Sequence, residues 1–395
     1  MDNTVSSADE AIIMDAIDKW IAKKVAPVAM QLEHDDEYPH ELVEDMKELG
    51  LFGALISPEY GGLGLSAVTY SRIVTRIAEE WMSLTGIFNS HMMMSLIVQN
   101  FGTQEQREYW LPRFVTGEMR GGLGLTEPDA GTDLQAIKTE ARRDGDYYVV
   151  NGAKTWISNA IEGDVVALLV KTDTSIQPRH KGISVLITPK IDPETREPIA
   201  GISTGRKLEK LGYKGIDSGE IILDDYRCRA DLCLVGGEEG KGFLMATGGL
   251  EIGRINVAAR SVGIARRALS ESVKYAQQRR TMGKPICEHQ AIQLKLGDMA
   301  AKTRASELLV EDAAAAYDRG ERVDMEAGMA KYFASETAVE VATEAMRIHG
   351  GYGYSKEFPI ERLYRDAPLM CIGEGTNEIQ RIIIAKQLVA RNKVQ

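Results

Sequence analysis

Basic charge is in deficit in this chain: 47 Lys and Arg face 58 Asp and Glu, for a formal charge of -11. An acidic surface disfavours polyanions, so nucleic acid is a poor partner, although a local basic patch can still take a phosphorylated cofactor. Cysteine is scarce, and Cys228, Cys233, Cys287 and Cys371 include no C-x-x-C pair. That excludes a disulfide framework and fits a reducing compartment. No apolar run is long enough to cross a bilayer, and Met1–Thr4 lacks a basic segment leading into an apolar one. The expectation is a soluble, cytoplasmic protein. The six histidines show no metal-ligand spacing, and there is neither a G-x-S-x-G elbow nor a P-loop.

What is present divides into three regions, with expected domains at 1–120, 121–236 and 237–395. The first reads as helices, with Ile12, Ile13, Ala16, Ile17, Trp20 and Ile21 at helical spacing and further stretches at 67–82, 86–100 and 104–116. Thr103 is the expected start of the last of these. The middle changes period. Tyr147–Val150, Val165–Val170, Ile183–Ile187 and Glu220–Leu223 read as strands of an antiparallel barrel or sandwich. Beyond Gly242 the helical period returns over 245–278, 289–318 and 324–349, rich in Ala, as in a bundle. The expected fold class is α+β: helical domain, antiparallel β-domain, four-helix bundle.

Glycine-rich segments carry the candidate chemistry. Gly121–Asp133 offers backbone N–H groups and the Thr126 and Thr132 hydroxyls at a bend, suited to a flavin or pyrophosphate, or simply to a structural loop. Trp156 and Ser158 would share one face if extended and could flank a planar ring; a core Trp beside a turn Ser is the other reading. Arg279 and Thr281 follow a long helix and could clamp pyrophosphate, or be solvated. Gly350 and Gly351 permit close approach of a phosphate, or stop a helix, and His349 reads as structural. Glu374 stands between Gly373 and Gly375 with room beside it, and Thr376 can cap the helix that follows.

Taken in order, these segments resemble the acyl-CoA dehydrogenase family over essentially the whole chain. The resemblance rests on Leu125–Asp133, Trp156–Asn159, Gly253–Ile255, Tyr275–Pro285, His289–Ile292, His349–Tyr354, Arg365–Ala367 and Glu374–Thr376. It implies FAD, an acyl-CoA substrate, an electron-transfer flavoprotein as acceptor and a homotetramer. Glu374 would take the α-proton. Leu125, Thr126, Trp156, Ser158 and Thr376 would meet the flavin; Gly131 and Thr132 would lie near phosphates. Arg279, Thr281, Gln290, Arg347, Gly350 and Gly351 would contact FAD, several of them from the adjacent subunit. Thr132, Arg254 and Gly375 would contact substrate. One branch of the family places its base where this chain has Gly253, which has no side chain to act, and Glu251 is out of register.

The implied reaction is α,β-dehydrogenation of a short or branched acyl-CoA to the trans-2-enoyl thioester. Competing readings are an oxygen-using oxidase, a dicarboxyl-CoA dehydrogenase, a non-redox lyase or desulfinase, and a non-catalytic scaffold. For the dicarboxyl case the expected marker is an arginine in the early helical domain, where this chain carries Leu84. Phe88, His91 and Met92–Met94 read mainly as core.

Overall fold

The computed structural model describes residues 7–393. The N-terminal part comprises α1 (Ser7–Trp20), α2 (Ala29–Asp35), α3 (His40–Glu48), α4 (Ala67–Phe101) and α5 (Gln104–Val115). α4 runs through one break, at Trp81 (φ -154, ψ 102), close to the gap expected between two helices. α5 begins where Thr103 predicts. Its hydroxyl accepts from Gln106 N at 3.2 Å while Gln106 Oε1 accepts from Thr103 N at 3.0 Å, a reciprocal capping box. The other end of Gln106 donates to Leu234 O at 2.6 Å and ties the helix to the next domain.

The strands are β1 (Gly121–Gly124), β2 (Glu140–Asp144), β3 (Tyr147–Ser158), β4 (Val165–Lys171), β5 (Ile183–Pro189), β6 (Ile202–Thr204) and β7 (Ser218–Arg229). Most pairings are antiparallel, but β2 meets β4 in parallel at Glu140 and Lys171, and β1 lies parallel to β4, Gly121 opposite Val165. That exception turns the start of the Gly-rich bend into a strand. A Cβ on Gly121 would fall 2.1 Å from Val165 O and one on Gly122 2.3 Å from Ser158 O, so glycine is required for the fit. β4 explains its own unbroken apolar sequence. Val165, Ala167 and Leu169 face the helices, and Val166, Leu168 and Val170 face the core of the β-domain.

After the short α6 (Ala230–Cys233) come α7 (Gly242–Gln278), α8 (Gln290–Asp318), α9 (Asp324–His349), α10 (Ile360–Ile372) and α11 (Asn377–Arg391). The three long helices start and stop within a few residues of the expected positions. Ala327, Ala330, Ala334, Ala338, Ala342 and Ala345 form a buried stripe along α9 that lets α7 approach closely. α10 and α11 pack on α9, and α4 packs on the other side of α7. The active-site candidates lie where these helices meet the sheet. None of the helices among the described residues is long and apolar enough to cross a membrane.

Candidate active site

Between α10 and α11 the chain makes a tight turn, and Glu374 sits in it at φ +56. A left-handed glutamate is strained by roughly 1–3 kcal/mol and needs surrounding structure to hold it. Several groups do so. Gln380 Nε2 donates back to Gly375 O at 3.1 Å and to Glu374 O at 3.4 Å. Thr376 Oγ1 accepts from Ile379 N at 3.5 Å and caps α11 as expected. Lys331, wholly buried on α9, donates to Cys371 O at 3.1 Å and to Asn377 Oδ1 at 2.8 Å, one on each side of the turn. Burial pushes its ammonium pKa down to about 8.

Lys331→Met should therefore leave the Cys371 carbonyl without this donor, while the Asn377 amide keeps only Ser335 and Glu336. A buried group left without its donor costs about 1–3 kcal/mol. The expected result is a lower unfolding midpoint and a fall in kcat of about 100-fold from the misplaced carboxylate. Thermal melts and single-turnover flavin reduction read the two effects, and wild-type values in both would refute the role.

The Glu374 carboxylate rests over Gly253 of α7: a Cβ there would stand 2.9 Å from Oε2 and 3.2 Å from Met93 Cε. Gly253 is thus the floor beneath this carboxylate. Glu374 retains some accessible surface while lying deep in the protein, as a group at the bottom of a recess does. Burial raises its pKa above the usual carboxylate range, opposed by Arg260, Arg254 and Lys331 in that order. Arg254 is 6% exposed, 3.7 Å from Asp324 Oδ1, and its Nε and Nη1 lack hydrogen-bond partners. Glu251 is drawn toward Asp324, and burial with that second carboxylate pushes its pKa up to about 7.

A second group of residues lies on the β-domain. Thr155 N donates to Thr126 O at 2.9 Å, which fastens Thr126 beside Trp156. On an extended strand Trp156 and Ser158 would share one face. Instead the β3–β7 register slips between Lys154 and Ile157, and Trp156 takes φ +62. The bulge turns the indole out, 60% exposed, so it is not a core Trp. Leu125, Ser158 and Thr376 are partly accessible, and Gly131, Thr132 and Gly375 are exposed. An open indole, on a strand whose backbone holds Thr126, fits a planar ring that carries hydrogen-bonding edges.

Arg279, Thr281, Gly350 and Gly351 come together, lining an open recess of about 900 Å³ with Tyr275 and His289. Thr281 Oγ1 and His289 Nε2 are 3.0 Å apart. Arg347 and Gln290 do not line this recess. The Arg347 guanidinium is exposed and bound to Glu344. Gln290 is the exposed first residue of α8. His349 is structural, stacked on Tyr275 at 4.3 Å and hydrogen-bonded through Nδ1 to Ala345 O.

Sequence reasoning missed four supports. Glu127, within the Gly-rich segment, accepts from Lys154 Nζ at 2.8 Å and from the N–H groups of Lys138 and Thr139. Asn159 Nδ2 bridges Ile87 O and Gly121 O. Lys331 and Arg260 are buried cations on helices that read only as Ala-rich. A charge at a core-facing helical position is the signal that marks the last two. Glu33, His34 and Glu361 also converge closely enough for a metal ion. Arg365 fills that position, donating to Glu33 Oε1 at 2.6 Å and Glu361 Oε2 at 2.7 Å.

Fold and site together define a three-domain flavoenzyme architecture, and three family descriptions cover it: acyl-CoA dehydrogenase N-terminal domain at 7–118, middle domain at 122–226 and C-terminal domain at 240–389. The chain belongs to the acyl-CoA dehydrogenase family, whose members are enzymes that bind FAD. It is similar to a 3-(aryl)acrylate reductase of Clostridium sporogenes (40% identical, 93% of this chain and 95% of the other). It is also similar to the mitochondrial short-chain specific acyl-CoA dehydrogenase of Bos taurus (39%, 93% and 87%). Among solved structures, butyryl-CoA dehydrogenase from Megasphaera elsdenii superposes with a TM-score of 0.91 at 34% identity, covering 98% of this chain and all of the other.

Proposed function

We propose that this enzyme oxidises a short or branched acyl-CoA to the trans-2-enoyl-CoA, with Glu374 as the base. The observation that carries this reading is a carboxylate with a raised pKa, held in a strained turn over a glycine floor. A higher pKa brings the base closer to the weakly acidic α-proton it must take. The Glu374 N–H has no acceptor among the described residues, which leaves it free for the thioester oxygen as enolate charge develops. Thr132, Arg254 and Gly375 would contact the substrate.

Bound FAD supplies the hydride acceptor. Leu125, Thr126, Trp156, Ser158 and Thr376 would hold its ring. Gly131 and Thr132 would lie near its phosphates, and Arg279, Thr281, Gln290, Gly350 and Gly351 would bind it from a neighbouring subunit. Exposed Met282 and Tyr354, at 94% and 85%, support burial of this face in a homotetramer. An electron-transfer flavoprotein is the proposed acceptor. The four unpaired cysteines support a cytoplasmic setting.

Anaerobic titration of the yellow holoprotein with short straight and branched acyl-CoAs tests the reading. Bleaching of the flavin band is expected, and persistence of the full band with all of them would overturn it. Rapid reoxidation of the bleached enzyme by oxygen, rather than by a flavoprotein, would reassign it as an oxidase.

A further inference from the structure

Asn256 and Arg260 follow Gly253 at helical spacing and share one face of α7. Thr85, Asn89 and Met93 form the facing stripe of α4. The two stripes are in contact along a seam that starts at Glu374. Met93 meets Gly253, Asn256 Nδ2 donates to Tyr70 OH at 3.2 Å, and Tyr70 OH donates to Asn89 Oδ1 at 3.3 Å. At the far end Arg260 Nη2 is 3.5 Å from Thr85 O and Nη1 is 3.3 Å from Tyr213 OH. Tyr213 closes the seam, its hydroxyl only 1.6 Å from where a Cβ on Gly86 would be. Asp366 Oδ1 holds the Tyr213 N–H at 2.6 Å.

For a saturated hydrocarbon chain this lining is unsuitable. Arg260 is 5% exposed, both of its hydrogen bonds are long, its Nε has no partner, and no carboxylate among the described residues lies within salt-bridge distance. Asn256 is fully buried with Oδ1 unpartnered. Glu374 is the carboxylate whose raised pKa Arg260 opposes, but no carboxylate among the described residues is hydrogen-bonded to Arg260. A buried guanidinium with unfilled donors is disfavoured, and its planar donors match a carboxylate. Gly253 and Arg260 are about 10 Å apart along the helix axis, and the arginine leans back toward the N-terminus. Only a short acyl chain spans that gap.

We infer that Arg260, with Tyr213, Tyr70 and Asn256, receives a carboxylate at the far end of a short acyl chain, so that the substrate is the monothioester of a short dicarboxylic acid. This rests on the dehydrogenase reading and narrows it. The cation is supplied by the C-terminal bundle, whereas the early helical domain carries Leu84 at the expected marker position.

The test compares glutaryl-CoA, butyryl-CoA and the neutral amide 4-carbamoylbutanoyl-CoA. Binding is read by flavin spectral perturbation in Glu374→Gln holoprotein, and kcat/KM by anaerobic reduction of the wild type. The wild type is expected to favour glutaryl-CoA over both others at least tenfold. Arg260→Gln should lose that preference, mainly through KM, and Arg260→Lys should keep part of it. A preference for butyryl-CoA in the wild type overturns the inference without any variant. So does an unchanged preference in Arg260→Gln. An equal loss on all three thioesters, with a shifted pH profile, would make Arg260 a counterion of Glu374 instead. If no thioester reduces the flavin, the dehydrogenase reading fails, while the binding preference still reports on the carboxylate receptor.

Discussion

Glu374→Gln holoprotein should retain FAD and bind acyl-CoA while reducing its flavin roughly 10³- to 10⁴-fold more slowly, the upper range for a positioned base. The amide has almost the same shape, so the turn at φ +56 and the contact over Gly253 are preserved. Only the ability to accept the proton is lost. In the wild type the reductive rate should rise with pH through a midpoint above the ordinary carboxylate range, because burial raises this pKa. Stability should show the opposite slope. The folded state holds the Glu374 proton at pH values where the unfolded chain has released it, so stability falls as pH rises between the two pKa values. Glu374→Gln should flatten that part of the profile and be at least as stable at neutral pH. Stopped-flow reduction and denaturant midpoints across pH check both. Near-normal reduction by the variant would move proton abstraction to another residue.

The largest stability effect is expected at a residue remote from the base. Lys154 is fully buried and Glu127 is 5% exposed, their charged groups 2.8 Å apart. Burial pulls the Lys154 pKa down to about 8; for Glu127 burial acts upward, but Lys154, with Thr139 and the Lys138 N–H, outweighs it and holds the carboxyl below its ordinary value. Such a pair contributes little net stability while intact, but removing one partner leaves the other charge buried, at about 3–5 kcal/mol. Lys154→Met should fall near the lower end, about 3 kcal/mol, because Glu127 keeps the N–H groups of Lys138 and Thr139. The Leu125–Asp133 segment should loosen and FAD affinity should drop. Glu127→Gln combined with Lys154→Met should recover part of the loss. Denaturant unfolding at fixed FAD measures this, and a loss below about 1 kcal/mol would mean that solvent reaches the pair.

Local pattern and tertiary structure divide the account of this protein between them. Helical and strand periods, with Gly and Thr as punctuation, determined the three-domain order and the ends of α7, α8 and α9. The caps at Thr103 and Thr376 were also legible, since a cap depends on neighbours three residues away. So were the motif residues Glu374, Trp156 and Arg279, as members of a recognisable series. The parallel β1–β4 pair, the outward turn of Trp156 and the supports of the base were not. Each of these depends on partners far apart in the chain: Lys331 reaches Asn377, Lys154 reaches Glu127, and Arg260 reaches Thr85 and Tyr213. Sequence by itself named the carboxylate proposed as the base. Only the packing of α4 against α7 decided what surrounds Arg260, and a charge is costly or useful according to its surroundings.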